Sequence, residues 1–122
     1  MSVSVLIVDD EFLTRNMLSI MLTQYGHEVT EAEDGLEALE MLQQCRPDVV
    51  LMDLMMPRCD GLTATKTIRD DDKLYDLPII FLSAKTDTAT IQSGLDAGAN
   101  RFLTKPVSYD DLVQNIHEVL FH

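Results

Sequence analysis

The chain has 122 residues, 46% of them hydrophobic and 25% charged, which is typical of one globular domain with a single core. A formal net charge of −12 argues against binding to nucleic acid or to an anionic membrane, because either polyanion would repel this chain. No positively charged leader opens the sequence and no run of about 18 apolar residues occurs, so we expect a cytoplasmic protein.

Apolar segments and segments of helical period alternate along the whole chain. Strands are predicted at residues 3–10, 27–32, 47–53, 78–84 and 100–105, each followed by a helix. This alternation forces a parallel sheet, since each right-handed crossover returns the chain to the same end of the sheet. Polar residues dilute the second and fifth strands, so we place both at the edges. The order 2-1-3-4-5 fits, and it predicts a flavodoxin-like doubly wound α/β fold, a (βα)5 three-layer sandwich.

Capping residues and glycines indicate where the helices begin and end. The pairs with capping-box spacing are Asp34 with Glu37 and Ser108 with Asp111. The glycines expected at or near helix C-termini are Gly26, Gly94 and Gly98. Residues 69–78 carry a run of charges, and we expect them to form a solvated loop with little functional content.

Polar side chains stand at the carboxyl ends of four predicted strands, the edge where open parallel sheets bind ligands. They are Asp9 and Asp10 after the first strand, Asp53 after the third, Ser83 after the fourth and Lys105, before Pro106, after the fifth. Two carboxylates about 4 Å apart repel by about 4 kcal/mol at an effective dielectric constant near 20, so three of them require positive charge. Lys105 and a divalent cation such as Mg²⁺, which prefers oxygen ligands, would supply it. The set predicts a site for a cation and a phosphate.

Any one of these aspartates could simply cap a helix. Asp53, however, precedes the third predicted helix by several residues, and Asp60 is the better cap. A carboxylate can attack phosphorus to form an acyl phosphate, and Asp53 is the natural candidate because it stands alone on a central strand. Ser83 could donate a hydrogen bond to a transferred phosphoryl oxygen, and Lys105 could neutralise another.

Four motifs at the strand ends together resemble the response-regulator receiver domains of bacterial two-component systems, and the chemotaxis-type single-domain receivers in particular. In chain order they are "VDDE", "MDLMMPRCDG", "LSAK" and "FLTKP". The resemblance extends from Val3 to Leu120, so residues 1–122 are expected to form one receiver domain. The chain ends at His122, and we expect a receiver that acts alone or an excised fragment of a larger regulator.

The resemblance implies that Asp53 accepts a phosphoryl group from a phosphohistidine on a sensor histidine kinase or a histidine phosphotransfer protein. Asp9 and Asp10 match the metal-binding acids, and Met55 would supply a backbone carbonyl to Mg²⁺. Lys105 matches the lysine that contacts the phosphoryl group. In the family the peptide bond that follows this lysine, here to Pro106, is usually cis.

The resemblance also places Ser83 at the switch hydroxyl position and Phe102 at the switch aromatic position. It implies that Ser83 is drawn toward the phosphoryl oxygen and that Phe102 rotates inward. The surface of helix 4, strand 5 and helix 5 would then change, and a downstream effector protein would dock there. The protein would be a switch that promotes only its own phosphorylation and dephosphorylation, and a monomer or, when phosphorylated, a dimer. It would not be an enzyme.

Three other interpretations compete with this one. A phosphatase of the haloacid-dehalogenase type also uses a strand-end aspartate with Mg²⁺, but it needs a second acid where this chain has Met55. A nucleotide- or flavin-binding module shares the fold class, but no glycine-rich phosphate motif follows the first strand. A receiver-like docking module that is never phosphorylated is the third, and the presence of the three acids, the hydroxyl and the lysine argues against it.

Overall fold

The computed structural model describes residues 2–56, 58–85 and 87–121. Strands and helices alternate in the order β1 (Ser4–Val8), α1 (Phe12–Gln24), β2 (Glu28–Ala32), α2 (Gly35–Leu42), β3 (Val49–Asp53), α3 (Gly61–Arg69), β4 (Ile79–Ser83), α4 (Thr88–Ala97), β5 (Arg101–Thr104) and α5 (Tyr109–Phe121). The strands form one parallel sheet in the order β2-β1-β3-β4-β5. The predicted α/β fold class and strand order are therefore confirmed.

Successive side chains of each strand point to opposite faces of the sheet, and helices cover both faces. One face packs against α2 and α3, with a core that includes Leu6, Ala38, Met52, Ile68 and Phe81. The other face packs against α1 and α5, with a core that includes Ile7, Leu18, Leu51, Leu82 and Ile116. The central strands β1, β3 and β4 are almost wholly buried, whereas β2 and β5 carry exposed residues. This difference in burial agrees with the predicted positions of the two polar strands, β2 and β5, at the edges of the sheet.

Three of the predicted helix caps form. The main-chain amides of Glu37, Thr63 and Asp111 donate to the side chains of Asp34, Asp60 and Ser108 at 2.9, 2.8 and 3.1 Å. Satisfying these amides stabilises the first turns of α2, α3 and α5.

All three glycines lie at or near helix C-termini, but only two of them follow the last turn of a helix. Gly26 follows α1 with φ +89°, and Gly98 caps α4 with φ +116°, a left-handed conformation that favours glycine. Gly94 instead lies inside α4 and is buried. It packs against aromatic rings of the sheet, so its missing side chain makes room for packing and does not end the helix.

Residues 69–78 differ from the solvated loop that we predicted. The side chains of Leu74 and Leu77 are buried in the core beneath the charged turn. Arg69 donates to the carbonyl oxygens of Tyr75, Leu77 and Gly98 at 3.0, 2.8 and 2.9 Å. The segment is thus anchored between α3 and the end of α4. Among the described helices, none is long and apolar enough to cross a membrane.

Candidate functional site

The carboxyl ends of β1 and β3 bring three aspartates together. Asp53 is the last residue of β3, and Asp9 and Asp10 directly follow β1, its neighbour in the sheet. One carboxylate oxygen from each aspartate lies within 4.8 Å of the others. Asp9 is only 2% exposed, whereas Asp10 is open to solvent. Three hard oxygen donors at this separation, accessible from one side, fit a divalent cation such as Mg²⁺.

Lys105 reaches this cluster from beyond the end of β5. Its Nζ donates a hydrogen bond of 2.8 Å to Oδ2 of Asp9 and lies 3.4 Å from Oδ1 of Asp53. Burial works to lower the pKa of Lys105, but the hydrogen bond to Asp9 and the charges of both carboxylates outweigh it and raise the pKa above its usual value. The amine is therefore a fixed cation beside two acids.

The Asp53 carboxyl group has a pKa raised to about 6. Burial is the main cause, because it penalises the charged form, and the negative charges of Asp9 and Asp10 act in the same direction. Lys105 opposes this shift but does not cancel it. The pKa of Asp53 thus rises although a lysine is close, because the surrounding acids and burial exceed the attraction of one cation. A divalent cation would favour the ionised form.

Asp9 is held in place by contacts that the sequence analysis missed. Its Oδ1 accepts from the amide of Glu11 at 2.9 Å, and its carbonyl oxygen accepts from Nη1 of Arg15 at 2.8 Å. Arg15 is buried and also pairs with Oε1 of Glu31 at 2.9 Å. The signal in the sequence was that Arg15 is the only charged residue of α1, which marks it as different from a solvated surface arginine.

Ser83 is the last residue of β4 and is 3% exposed. Its Oγ accepts a hydrogen bond from the amide of Lys85 at 3.1 Å, so its own hydroxyl proton is available for a further acceptor. In the sheet register, Leu82 lies opposite Asp53, which puts Ser83 one position beyond it toward the carboxyl edge. The predicted hydroxyl therefore lies at the same edge of the sheet as Asp53.

The remaining predicted positions lie around this cluster. Phe102 of β5 is partly buried and packs edge to face on Phe81 of β4, with ring centroids 6.5 Å apart and an interplanar angle of 79°. Met55 lies two residues beyond Asp53 with its side chain exposed. The peptide bond between Lys105 and Pro106 is cis, as the resemblance implied.

The loop that follows Asp53 is tied to the start of α2, which no motif had indicated. Arg58, with φ +63°, donates from Nε to the buried Oδ2 of Asp34 at 2.6 Å, and the amide of Gly35 donates to the carbonyl of Cys59 at 3.0 Å. The hydrogen bond from Arg58, with the amide of Glu37, holds the pKa of Asp34 below its usual value. Both contacts join residues 24 positions apart, a relationship that only the fold creates.

Three acids, a hydroxyl and a lysine thus stand at the carboxyl edge of an open parallel α/β sheet, the edge where this class of fold binds ligands, and the three acids could hold a metal ion. Residues 5–117 match the response regulator receiver domain family, and the chain belongs to that family. The family prediction is confirmed. Receiver domains are signalling modules of two-component systems rather than classical enzymes, and they work with histidine kinases and effectors.

Relatives and solved structures support this assignment. The chain is 41% identical over 120 residues to the response regulator MprA of Mycobacterium ulcerans (strain Agy99), an alignment that covers 98% of this chain and 51% of MprA. It thus spans about half the length of the curated relatives that it matches.

Two solved structures share the fold over almost the whole chain. The Vibrio cholerae chemotaxis protein CheY4 is 35% identical with a TM-score of 0.91, covering 98% of this chain and 100% of CheY4. The receiver domain of the sensor histidine kinase PA1611 from Pseudomonas aeruginosa PAO1 is 30% identical with a TM-score of 0.92, covering 100% of both chains. That structure holds a magnesium ion coordinated in its active site cleft.

Proposed function

We propose that this receiver accepts a phosphoryl group on Asp53 from a phosphohistidine of a sensor histidine kinase or a histidine phosphotransfer protein. The observation that carries the proposal is the cluster of three carboxylates with the amine of Lys105 among them. Such a cluster is unfavourable by itself, because burial and mutual repulsion raise the pKa of Asp53 to about 6. A site that disfavours its own negative charge is stabilised by a bound cation, and the same cation supplies the positive charge that an incoming phosphoryl group requires.

Asp9, Asp10 and Asp53 would hold Mg²⁺, together with the backbone carbonyl of Met55. All are oxygen donors, and those of the three aspartates are already close enough to share one ion. When bound, the ion supplies charge neutralisation for the attacking carboxylate and the phosphoryl oxygens. Met55 enters through its backbone, which is consistent with its exposed thioether.

Asp53 is the nucleophile in this proposal. Its carboxylate oxygen forms a bond to phosphorus while the bond between phosphorus and the donor imidazole nitrogen breaks, and the imidazole leaves with the bonding electron pair. Lys105 neutralises charge on the phosphoryl oxygens, and the Ser83 hydroxyl donates to another of them. Both groups stand at the same sheet edge as Asp53.

The signal would then leave the site through Ser83 and Phe102. Drawing the Ser83 hydroxyl toward the phosphoryl group lets the Phe102 ring turn inward, and the surface of α4, β5 and α5 changes for an effector protein. We propose that residues 1–122 form this one receiver unit, which acts in the cytoplasm as a monomer or, when phosphorylated, as a dimer. The competing proposal is a docking module that is never phosphorylated.

The test is to incubate the purified protein with acetyl phosphate, with Mg²⁺ or with excess chelator, and to record its intact mass. We expect a gain of one phosphoryl group that requires Mg²⁺ and is absent in Asp53→Asn. Asp72→Asn, which removes an exposed carboxylate of the turn after α3, is the matched control and should behave like the parent protein. No gain by a folded protein with Mg²⁺ present would favour the docking module, and a gain that persists in Asp53→Asn would assign another acceptor.

A further inference from the structure

Gly94 of α4 lies where a side chain would collide with the ring of Phe81 and make a very tight contact with the ring of Phe102. A Cβ atom added there would be 2.8 Å from Cδ2 of Phe81 and 3.2 Å from Cδ2 of Phe102. Glycine in a helix interior is less favourable than alanine, so Gly94 lowers the intrinsic stability of α4. The compensating gain is close approach of the α4 backbone to the sheet at these two rings.

Phe81 occupies space left by a second glycine as well. Its ring is 0% exposed, and a Cβ atom on Gly61, the first residue of α3, would lie 3.0 Å from its Cε1. The same added atom would lie 2.7 Å from the carbonyl oxygen of Asp53. The Phe81 ring is thus enclosed between α3 and α4 near the end of β3, and it is closely packed against both helices.

Phe102 shares this contact, since it lies opposite Phe81 in the register of β4 and β5 and packs edge to face on it. Ser83 is two positions beyond Phe81, so the side chains of Ser83, Phe81 and Phe102 lie on one face of the sheet. A Phe102 ring that turns toward Ser83 must change its contacts with both Phe81 and the backbone of α4 at Gly94.

We infer that Gly94 is the positioning residue for Phe102. Because Gly94 has no side chain, the rings of Phe81 and Phe102 share the space next to α4, and the orientation of the Phe102 ring therefore depends on how closely α4 packs on the sheet. The inference rests on the proposed function in one respect, that Phe102 is the switch aromatic. A side chain at position 94 would crowd the Phe102 ring in its observed position and move it toward its inward orientation, near Ser83. Shortening residue 81 would reopen the space and restore the observed one.

The test uses protein labelled with 4-fluorophenylalanine, which gives one ¹⁹F resonance for each of the four phenylalanines. Phe102→Leu assigns the Phe102 signal, and beryllofluoride with Mg²⁺ serves as the phosphoryl mimic. In metal-free Gly94→Ala, we expect the Phe102 signal to move toward the position it takes in the parent protein with the mimic. We also expect the midpoint of thermal unfolding to fall by roughly 4 °C or more, whereas alanine in an unhindered helix would raise it.

Two further variants make the result decisive. Phe81→Leu with Gly94→Ala should return both the Phe102 signal and the unfolding midpoint toward those of Phe81→Leu alone, as expected for coupled neighbours. Ser93→Ala, on the exposed side of α4, should leave the Phe102 signal unmoved and should not lower the unfolding midpoint.

An unmoved Phe102 signal in Gly94→Ala, or a double variant without rescue, overturns the inference. Should Gly94→Ala not fold, recovery of folding by Phe81→Leu supports the inference and a failure to recover overturns it. If the mimic leaves the parent signal unmoved, the switch role of Phe102 fails, while the rescue comparison still decides the role of Gly94.

Discussion

Lys105 donates a hydrogen bond of 2.8 Å to Asp9, a carboxylate that is only 2% exposed and lies 96 residues earlier in the chain. A buried carboxylate without a partner is strongly unfavourable, so Lys105 acts as the counter-ion of Asp9 in the metal-free protein. Mg²⁺ would neutralise the same carboxylate. The lysine and the metal therefore overlap in electrostatic role, which can be separated by experiment.

Lys105→Met should lower the free energy of unfolding of the metal-free protein by about 1–3 kcal/mol, because Asp9 loses its counter-ion. Addition of Mg²⁺ should narrow this deficit, since the ion supplies positive charge to the same oxygens. Urea unfolding with chelator and with Mg²⁺ measures both quantities, and Lys105→Arg is the control that keeps the charge. A deficit of the same size with and without Mg²⁺ would contradict the shared role.

Asp53 should make the metal-free protein less stable at neutral pH than in mild acid. Its pKa is 3.8 in the unfolded chain and about 6 in the fold, so folding favours the protonated form. The stabilisation of the fold by protonated Asp53 is fully present below about pH 4 and is lost as the pH rises through 6. The resulting loss in the free energy of unfolding amounts to about 3 kcal/mol, at about 1.4 kcal/mol for each pKa unit.

Asp53→Asn removes this titration, so at pH 7.5 with chelator the variant should be more stable than the parent protein. The difference should shrink as the pH falls from 6 to 4. Thermal unfolding across pH 4 to 8 measures it, with Asp72→Asn as the control for loss of one exposed carboxylate. A variant that is less stable than the parent at pH 7.5 would show that burial does not dominate at Asp53.

Asp10 allows metal binding to be separated from folding, because it is the exposed member of the cluster. Asp10→Asn should leave metal-free stability within about 0.5 kcal/mol of the parent value, as expected for an exposed substitution. It should nevertheless reduce the stabilisation by Mg²⁺, which amounts to about 2.7 kcal/mol when the ion is at a hundredfold excess over its Kd. Thermal unfolding against Mg²⁺ concentration tests this, and equal responses of variant and parent would remove Asp10 from the ligand set.

The fold and the cluster at the sheet edge could be predicted because each depends on a regular pattern. Burial on both faces makes β1, β3 and β4 continuously apolar, and this fixes which strands are central. Parallel strands then bring their carboxyl ends to one edge, so residues as distant as Asp9 and Lys105 could be placed together from the sequence alone.

Contacts that depend on the shapes of individual side chains could not be predicted in this way. The sequence places Gly94 at or near a helix C-terminus, but glycine serves both helix termination and close packing, and only the positions of the Phe81 and Phe102 rings decide between these two roles. Leu74 and Leu77 were hidden in the charged segment 69–78 because two isolated leucines produce no periodic pattern.

Thr65 of α3 was likewise invisible to pattern analysis, yet it offers a clean test of packing. It is 0% exposed, and its Oγ1 is the one buried side-chain oxygen or nitrogen in the described parts of the chain without a hydrogen-bond partner. A buried hydroxyl without a partner carries a desolvation cost of about 1–3 kcal/mol, and valine has nearly the same shape without the hydroxyl.

Thr65→Val should therefore raise the free energy of unfolding by about 1 kcal/mol, measured by urea unfolding. Thr67→Val is the matched control two positions along the same helix, because the Thr67 hydroxyl is exposed and donates to the carbonyl of Thr63 at 3.0 Å. That control should be neutral or slightly destabilised. If both variants lose stability equally, the Thr65 hydroxyl has a partner such as a buried water, and its retention in the core is then explained by that hydrogen bond.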